Sequence, residues 1–451
     1  MKNTNTLKRS LTPLARLTRL KPVTPFTLLM SSALLVACGG SGGGSDEDDG
    51  SSVVTTTTGQ FLDSAVAGLT YVSGSRSGIT DAAGTFEYQI LDGVAQDVSF
   101  SFNGIELGSA PGKSVVTPVD LVEDGQLEQV TVQNIARFLQ MLDSDGDPQN
   151  GIAPSAELLT ALGEVELDWP PLDFTDPDFG NQLALLDVIQ DLNTYDSTLH
   201  VLPSAGQASA HLQQTIACQS SGIFSGTFSG EDAGHYVLWI QHQRVDPLVF
   251  GDTYPRAGVT SAYVYSQLQN RLIGVSPQAG LRFDASNGFV AGQANNGAEF
   301  SASLEDFNRI VNGVWRNDVE GGSGAFSGTR VAGDPTARYR LSGAVGVESL
   351  PLATADNTGA IALDVFADDQ VRGELVTSRG QHYPFAGTLV DGSLVLTTAE
   401  GLSLGLIFDA SGDHVDHPDQ VLFGEPGFWG YWQVAGVGGV LVGSSCELNG
   451  S

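Results

Sequence analysis

Basic residues are scarce in this chain of 451 residues. Lysine and arginine together number 20, against 52 aspartates and glutamates, which gives a formal net charge of −32 at pH 7. A chain this acidic repels phosphate backbones, so nucleic acid is excluded as a partner. Its self-repulsion favours a setting rich in salt or divalent cations, which screen charge.

Cysteine is also scarce, with three residues at positions 38, 218 and 446. If Cys38 is modified as argued below, Cys218 and Cys446 remain as an even pair, and an oxidising compartment favours their pairing. We therefore predict a disulfide that closes the second half of the chain into one unit. The alternative is two unpaired thiols.

Catalytic motifs are nearly lacking. The G-x-S-x-G pattern occurs at 39–43, inside a flexible glycine-rich stretch that cannot hold a strained nucleophile. The seven histidines are scattered apart from the run DHVDHPD at 413–419, which lacks the helical i, i+4 spacing of zinc ligands and which we interpret as a polar loop. We predict no catalytic residues. A triad assembled from distant positions is the alternative.

The N-terminus has the layout of an export signal. A basic region without acids precedes an apolar stretch from about Phe26 to Val36, which is too short to span a membrane. The box LVAC that ends at Cys38 resembles the lipobox of bacterial lipoproteins. The resemblance implies a signal peptide at 1–37, a diacylglycerol on Cys38 and an acidic Gly/Ser tether at 38–58. The alternative is an ordinary secretory signal with a chance cysteine.

The residue after the lipobox cysteine is informative about the cellular location of the protein. Lipoproteins retained on the inner membrane usually carry aspartate at that position, whereas this chain has Gly39. The resemblance therefore implies a lipid-anchored protein of the outer membrane, on its periplasmic or surface face, whose partner through the lipid is the membrane.

Short alternating strands follow the tether. In VSFSFNGIELG, Val98, Phe100 and Phe102 share one face, and the Asn-Gly pair that follows is a strong hairpin signal. These features predict an antiparallel β-sandwich at 59–116. The run FLDSAVAGLTYVSGSRSGITDAAGTFEYQ resembles the opening module of many proteobacterial surface lipoproteins. Its TDAAGTFEY part resembles the carboxypeptidase-regulatory-like, prealbumin-type sandwich, which implies a fold and no activity.

The next hundred residues, 117–217, change to a helical period. Ile135, Phe138, Leu139 and Leu142 recur at three and four residues. We predict a helix of about four turns that begins near residue 126, with further helices at 156–162, 181–192 and 207–216 packed on the sandwich.

An acidic turn follows the first helix in LDSDGDPQNGI. Asp143, Asp145 and Asp147 alternate and Asn150 follows, which offers the oxygen ligands that calcium prefers. The EF-hand pattern fails, because prolines occupy the positions of its glycine and of its bidentate glutamate. A calcium site of another type is one prediction for this turn. A solvated acidic turn is the other.

The sequence of the second half predicts β-structure throughout. Short alternating strands with glycine-rich turns fill 218–333 and 334–451, and FSGT occurs in both SGIFSGTFSG and SGAFSGTR. A looser echo joins GVWRN to GFWGYW. Echoes about a hundred residues apart predict two related meanders or small antiparallel barrels, because closure removes exposed strand edges. The GxW and GxFxG punctuation resembles that of small barrels in bacterial ligand-binding surface lipoproteins.

The aromatic run GFWGYW is compatible with a buried strand or with a strand that exposes two of its rings. In a strand, Phe428 and Trp432 share one face while Trp429 and Tyr431 share the other. We favour a strand covered on both faces, between the two meanders. In the alternative, Trp429 and Tyr431 face outward and stack on a sugar or a partner protein.

Together these features predict an α+β, mainly β, lipid-anchored protein of the envelope or cell surface. We expect it to act by binding, through adhesion to or capture of a protein or glycan ligand, with calcium as its one candidate cofactor. The alternatives are an envelope hydrolase and a structural or assembly lipoprotein.

Overall fold

The computed structural model describes most of the chain from residue 52 onward. The described residues are 52–164, 167, 169–241, 258–275, 282–284, 288–334, 336–346, 354–409 and 427–448. Within them, none of the helices is both long and apolar enough to cross a membrane.

A β-sandwich opens the described chain. Its two four-stranded sheets have the orders β5-β4-β1-β8 and β3-β2-β6-β7. The pairings are antiparallel except that β1 and β8 run parallel. The strands are β1 Val54–Phe61, β2 Thr70–Ser73, β3 Arg76–Ile79, β4 Thr85–Leu91, β5 Val94–Ala95, β6 Asp97–Phe102, β7 Ile105–Pro111 and β8 Val115–Val116.

Local turn chemistry explains these strand ends. Asn103 and Gly104 both have positive φ, 43° and 81°, as a two-residue hairpin turn between β6 and β7 requires. At the other predicted turn the Asp81 carboxylate accepts hydrogen bonds from the backbone N–H groups of Ala83 and Thr85. Strand β1 begins at Val54, inside the stretch assigned to the tether, because its β-branched threonines pair with β4.

Four α-helices follow in the described chain; the buried faces of the first three join the sandwich core, and that of the last packs on the first helix in a separate apolar cluster. Phe138 and Leu139 of the first helix lie in one apolar cluster with Phe100 and Phe102 of β6. Ser204 caps the last helix through a capping box with Gln207. The helical segment consists of α1 Val130–Met141, α2 Ala156–Glu164, α3 Leu183–Tyr195 and α4 Ala205–Ser220.

The next sheet is a nine-stranded antiparallel meander, here called barrel A. Its order, β12-β11-β10-β9-β17-β16-β15-β14-β13, brings the first and last strands together. Because β9 is antiparallel to both β10 and β17, β12 and β13 run in the same direction, and no described pairing joins them. The strands are β9 Gly222–Gly230, β10 Gly234–Gln241, β11 Gly258–Ser266, β12 Arg271–Val275, β13 Arg282–Asp284, β14 Phe289–Gln293, β15 Ala298–Glu305, β16 Arg309–Asn317 and β17 Ser323–Arg330.

The last sheet, barrel B, repeats this plan with eight strands. Its order is β21-β20-β19-β18-β25-β24-β23-β22, so its first and last strands also pair. Leucines, valines and phenylalanines fill its interior. The strands are β18 Tyr339–Gly346, β19 Gly359–Val365, β20 Gln370–Thr377, β21 His382–Thr388, β22 Ser393–Thr397, β23 Ser403–Asp409, β24 Gly427–Val434 and β25 Val437–Glu447.

These sheets confirm the predicted α+β, mainly β, fold, in which a sandwich and a helical segment are followed by two antiparallel meanders that curve into partly and nearly closed barrels. The two echoes have different origins, however. GVWRN and GFWGYW lie on β16 and β24, the next-to-last strands of barrels A and B. The two FSGT copies instead lie on β9 and β17, which pair with each other in barrel A.

The two barrels pack side by side through small and aromatic side chains. Trp239 of β10 is buried against alanines of β19, and its indole N–H donates to the Ser342 hydroxyl of β18 at 3.0 Å. A disulfide joins Cys218, near the end of α4, to Cys446 in β25, as the sequence predicted. The bridge ties the helical segment to the last strand of barrel B and encloses both barrels.

Candidate functional site

An apolar cavity lies inside barrel A, at one end of the barrel. Four turns surround its mouth: β9–β10, β11–β12, β14–β15 and β16–β17. The other end is filled by Phe224, Ile240 and Ile310 of the same core. The residues that line the cavity are Phe228, Asp232, Tyr236, Leu238, Ala262, Val264, Gln269, Ile273, Ala294, Asn296, Ala298, Phe300, Trp315, Asn317, Glu320, Gly321 and Phe326.

Small side chains leave this space open. Along each strand alternate residues point inward, so β10 contributes Tyr236 and Leu238 to the lining. On other walls some inward positions are alanines, Ala262 on β11 and Ala298 on β15. Aromatic rings from β9, β10, β15, β16 and β17 line much of the remaining wall. The cavity is therefore a consequence of which inward positions carry alanine.

The FSGT strands shape the wall beneath Tyr236. Gly226 of β9 and Gly328 of β17 are direct cross-strand partners, and Tyr236 of β10 is the next residue in the same row. A Cβ at position 328 would lie 2.4 Å from the Tyr236 hydroxyl oxygen, so the ring requires glycine there. The motif thus lets one tyrosine lie across two glycines, a way of covering a bare stretch of sheet.

Tyr236 adds a polar group to an otherwise apolar wall. Its ring meets that of Phe326 edge-on at 5.4 Å between centroids. Its hydroxyl is buried and has no hydrogen-bond partner among the described residues. Burial also raises the pKa of Tyr236, so the hydroxyl stays protonated and able to donate.

Polar side chains surround the mouth. The Asp232 carboxylate accepts from the Ser266 hydroxyl at 3.0 Å and from the Ala233 N–H at 2.7 Å. The Glu320 carboxylate accepts from both the Arg271 guanidinium and the Asn296 amide, and these hydrogen bonds lower the pKa of Glu320. Both carboxylates are held in place at the entrance to an apolar interior.

The cavity is small, with a volume of about 100 Å³. Sites for drug-sized ligands measure roughly 300–1,000 Å³. A cavity of about 150 Å³ in another protein admits benzene. The space in barrel A therefore suits a slim group such as a short alkyl chain or a single ring.

A serine and a histidine in the N-terminal half bear on the hydrolase alternative. Ser64 Oγ lies 3.1 Å from Nε2 of His211, and the same nitrogen lies 3.1 Å from the Asp63 carbonyl oxygen and 3.8 Å from its carboxylate. In a catalytic triad the acid binds the other ring nitrogen, so that Nε2 is free to take the serine proton. This cluster instead links the loop after β1 to α4.

The acidic turn is well ordered by its own hydrogen bonds. The Asp145 carboxylate accepts from the Asn150 amide and the Asp147 N–H, each at 2.9 Å, and the former bond is the main cause that lowers the pKa of Asp145. Asp143 accepts from the Ala153 N–H, and burial raises its pKa to about 6. Within the described residues no three His, Cys, Asp or Glu side chains are grouped to hold a metal ion, and calcium stays a prediction.

The aromatic run lies on β24 with its two faces clearly different. Phe428 and Trp432 point into barrel B and are buried, whereas Tyr431 is 60% exposed and Trp429 is partly exposed. Our preferred prediction, that both faces are covered, is therefore wrong for Tyr431. Among the described residues no second layer covers the outer face of barrel B at Tyr431, so the outward placement is the one observed there.

Several sequence predictions fall outside the described residues. They are the signal peptide at 1–37, the lipidated Cys38, the tether up to residue 51 and the histidine-containing run at 413–419. The sequence reading in turn missed Tyr236 and the inward alanines. The signal that could have found them is the alternation of GHYVLWIQ, which sets Tyr236 and Leu238 on one face.

We compared the chain with protein families, curated proteins and solved structures. No protein-family model matches the sequence, and no curated protein is similar to it. A solved structure of a protein of unknown function from the DUF3598 family of Nostoc punctiforme is 10% identical to this chain. It covers 52% of this chain and 98% of its own length with a TM-score of 0.16. A likeness that low carries no argument about fold or function.

Proposed function

We propose that this chain is a lipid-anchored binding protein of the bacterial envelope or surface that captures a small apolar ligand inside barrel A. The observation that carries the proposal is the apolar cavity, open at one end and ringed there by fixed polar groups. An apolar interior with a few placed polar groups is the usual form of a small-molecule site.

The lining favours capture over catalysis. Its side chains are aliphatic and aromatic, with aspartate, glutamate and amides at the mouth and the Tyr236 hydroxyl within. No histidine, cysteine, serine or lysine is among the described lining residues, so these residues offer no activated nucleophile with its base. The described lining is suited to binding an apolar group.

The anchor supports the proposed location. The basic region, the short apolar stretch and the LVAC box together favour lipidation at Cys38, and Gly39 favours the outer membrane. The acidic Gly/Ser stretch after Cys38 would then hold the folded part away from the bilayer. A cavity on such a tether is placed to collect ligands from the periplasm or from the medium.

Ligand capture is tested by a substitution that fills the cavity with a larger side chain. Ala262→Leu places a larger side chain at an inward, buried position of β11. We expect 1-hexanol to give saturable heat in calorimetric titration of the full chain, and this heat to be lost in the variant. Ala399→Leu makes the same change at an exposed site of barrel B and should leave the titration unaltered. Equal binding by all three proteins would exclude the barrel A cavity as the site.

A second candidate function, adhesion, is favoured by one observation. Trp429 and Tyr431 face outward on β24, with their rings edge-on at 6.3 Å. Their cross-strand neighbours on this face include Ile407 and Val440, so the described part of this surface is apolar in a very acidic protein. Aromatic side chains and depletion of charge are typical of the cores of protein interfaces.

Adhesion is tested by capture experiments with matched surface variants. The full chain would be screened against glycans and cell-surface proteins beside the double variant Trp429→Ala with Tyr431→Ala. Any partner of this surface should be lost from the double variant and kept by Gln433→Ala, which alters the same face without removing a ring. A partner retained by the double variant binds elsewhere.

A further inference from the structure

The charge at the mouth of the barrel A cavity bears on the ligand's own charge, an inference that rests on the proposed function. Asp232 and Glu320 both line the cavity, and Glu231 precedes Asp232 in the same turn. Arg271 pairs with Glu320 at 2.8 Å. Among the described residues no cationic side chain pairs with Asp232, so the carboxylates there outnumber their cations.

Aromatic rings reach the same entrance. Phe228 and Trp315 both line the cavity, are partly exposed and meet edge-on at 6.1 Å. The Trp315 indole N–H donates to the Ser229 carbonyl, which fixes the orientation of the ring. The faces of such rings attract cations, more strongly where water is excluded.

The whole chain adds to this local preference. With a formal charge of −32 the chain as a whole attracts small cations and repels anions. A carboxylate-bearing ligand such as a fatty acid would have to place its charge beside Asp232 and Glu320. An ammonium group would meet carboxylates and aromatic rings at the same point.

We propose that the ligand of barrel A is a small organic ammonium with one slim apolar substituent. The apolar substituent lies in the cavity between the inward alanines and the aromatic wall. The ammonium group stays at the mouth, next to Asp232 and over the rings of Phe228 and Trp315. The cavity volume limits the substituent to a short alkyl chain or a single ring.

Three ligands of equal length test the charge preference. The full chain carrying Cys38→Ser, kept free of detergent, would be titrated by calorimetry with n-hexylammonium, 1-hexanol and hexanoate at low ionic strength. We expect hexylammonium to bind on the order of tenfold more tightly than hexanol, with hexanoate weakest. Added salt should reduce the advantage of the amine and leave hexanol unchanged.

Matched variants assign the preference to the mouth. Asp232→Asn keeps an oxygen acceptor for Ser266 and Ala233 and removes the charge, so it should weaken hexylammonium and spare hexanol. Asp391→Asn removes the same charge from an exposed turn of barrel B and should change neither.

The outcomes separate the two proposals. Equal binding of the three ligands, or strongest binding of hexanoate, would overturn the charge preference while capture in the cavity stands. No saturable binding of any of the three would overturn capture and the charge preference with it.

Discussion

The buried carboxyl of Asp63 makes the stability of this protein depend on pH. Its side chain is 0% exposed, and one of its oxygens accepts from the Gln140 amide at 2.9 Å. The other oxygen has no hydrogen-bond partner among the described residues. Burial raises the pKa of Asp63 from 3.8 to about 6, against the opposing effects of His211 and the Gln140 hydrogen bond.

The sign of the effect follows from proton linkage. Between pH 4 and pH 6 the folded state keeps a proton on Asp63 that the unfolded state has already lost. The free energy of unfolding therefore falls as pH rises through this window and stays low above it. A difference of about two pKa units corresponds to about 3 kcal/mol at pH 7.

The substitution Asp63→Asn tests this directly. Asparagine keeps the size of the side chain and an acceptor for Gln140 but cannot ionise, so the cost of burying a charge disappears. We expect the variant to be more stable than wild type by about 3 kcal/mol at pH 7 and equally stable near pH 4. Urea unfolding followed by circular dichroism at the two pH values measures the difference.

The control for this test is a carboxyl that is already exposed in the folded state. Asp97→Asn changes an exposed carboxyl on β6 and should show no such pH-dependent gain. If Asp63→Asn gives the same difference from wild type at both pH values, ionisation of Asp63 does not contribute, and the reasoning from burial is wrong. A variant less stable at pH 7 would mean that the charge is favourable where it lies.

Three further predictions concern the anchor, the disulfide and the acidic turn. Wild type should incorporate a radioactive fatty acid, and Cys38→Ser should abolish the label and move the protein to the soluble fraction; an unlabelled wild type would contradict the anchor. Reduction of the Cys218–Cys446 bridge should raise the intact mass by about two daltons and destabilise the protein by up to about 5 kcal/mol, because the bridged residues lie 228 apart. In high sodium chloride, calcium should raise the melting temperature of wild type and not that of Asp145→Asn with Asp147→Asn; equal rises in both would leave only diffuse screening.

Features set by neighbours in sequence were predictable. The hairpin at Asn103 needs only two residues that tolerate positive φ, and the amphipathic period that contains Phe138 needs only one buried face. The strands of the second half were likewise predictable from alternation and turn residues. The Cys218–Cys446 pairing followed from a count of cysteines and a compartment, without any knowledge of distance.

Features set by pairing between distant parts of the chain could not be predicted from the sequence. The FSGT copies suggested corresponding strands of two tandem repeats. In the structure they lie on β9 and β17, the first and last strands of barrel A, which pair with each other. Sequence spacing cannot tell a repeated unit from two strands that need the same residues because they face each other. The cavity is equally non-local, since its lining comes from strands that are distant in sequence, with Ala262 on β11 and Ala298 on β15.

The aromatic strand β24 shows where alternation stops being informative. Its pattern divides Trp429 and Tyr431 from Phe428 and Trp432 without saying which pair is inside. That choice depends on the direction in which barrel B curves and on where barrel A docks, which is the face of β18 and β19 rather than β24. The two candidate binding surfaces consequently lie on different barrels, one internal to barrel A and one external on barrel B. Variants at Ala262 and at Tyr431 can therefore be combined, and capture and adhesion should be lost independently if both occur.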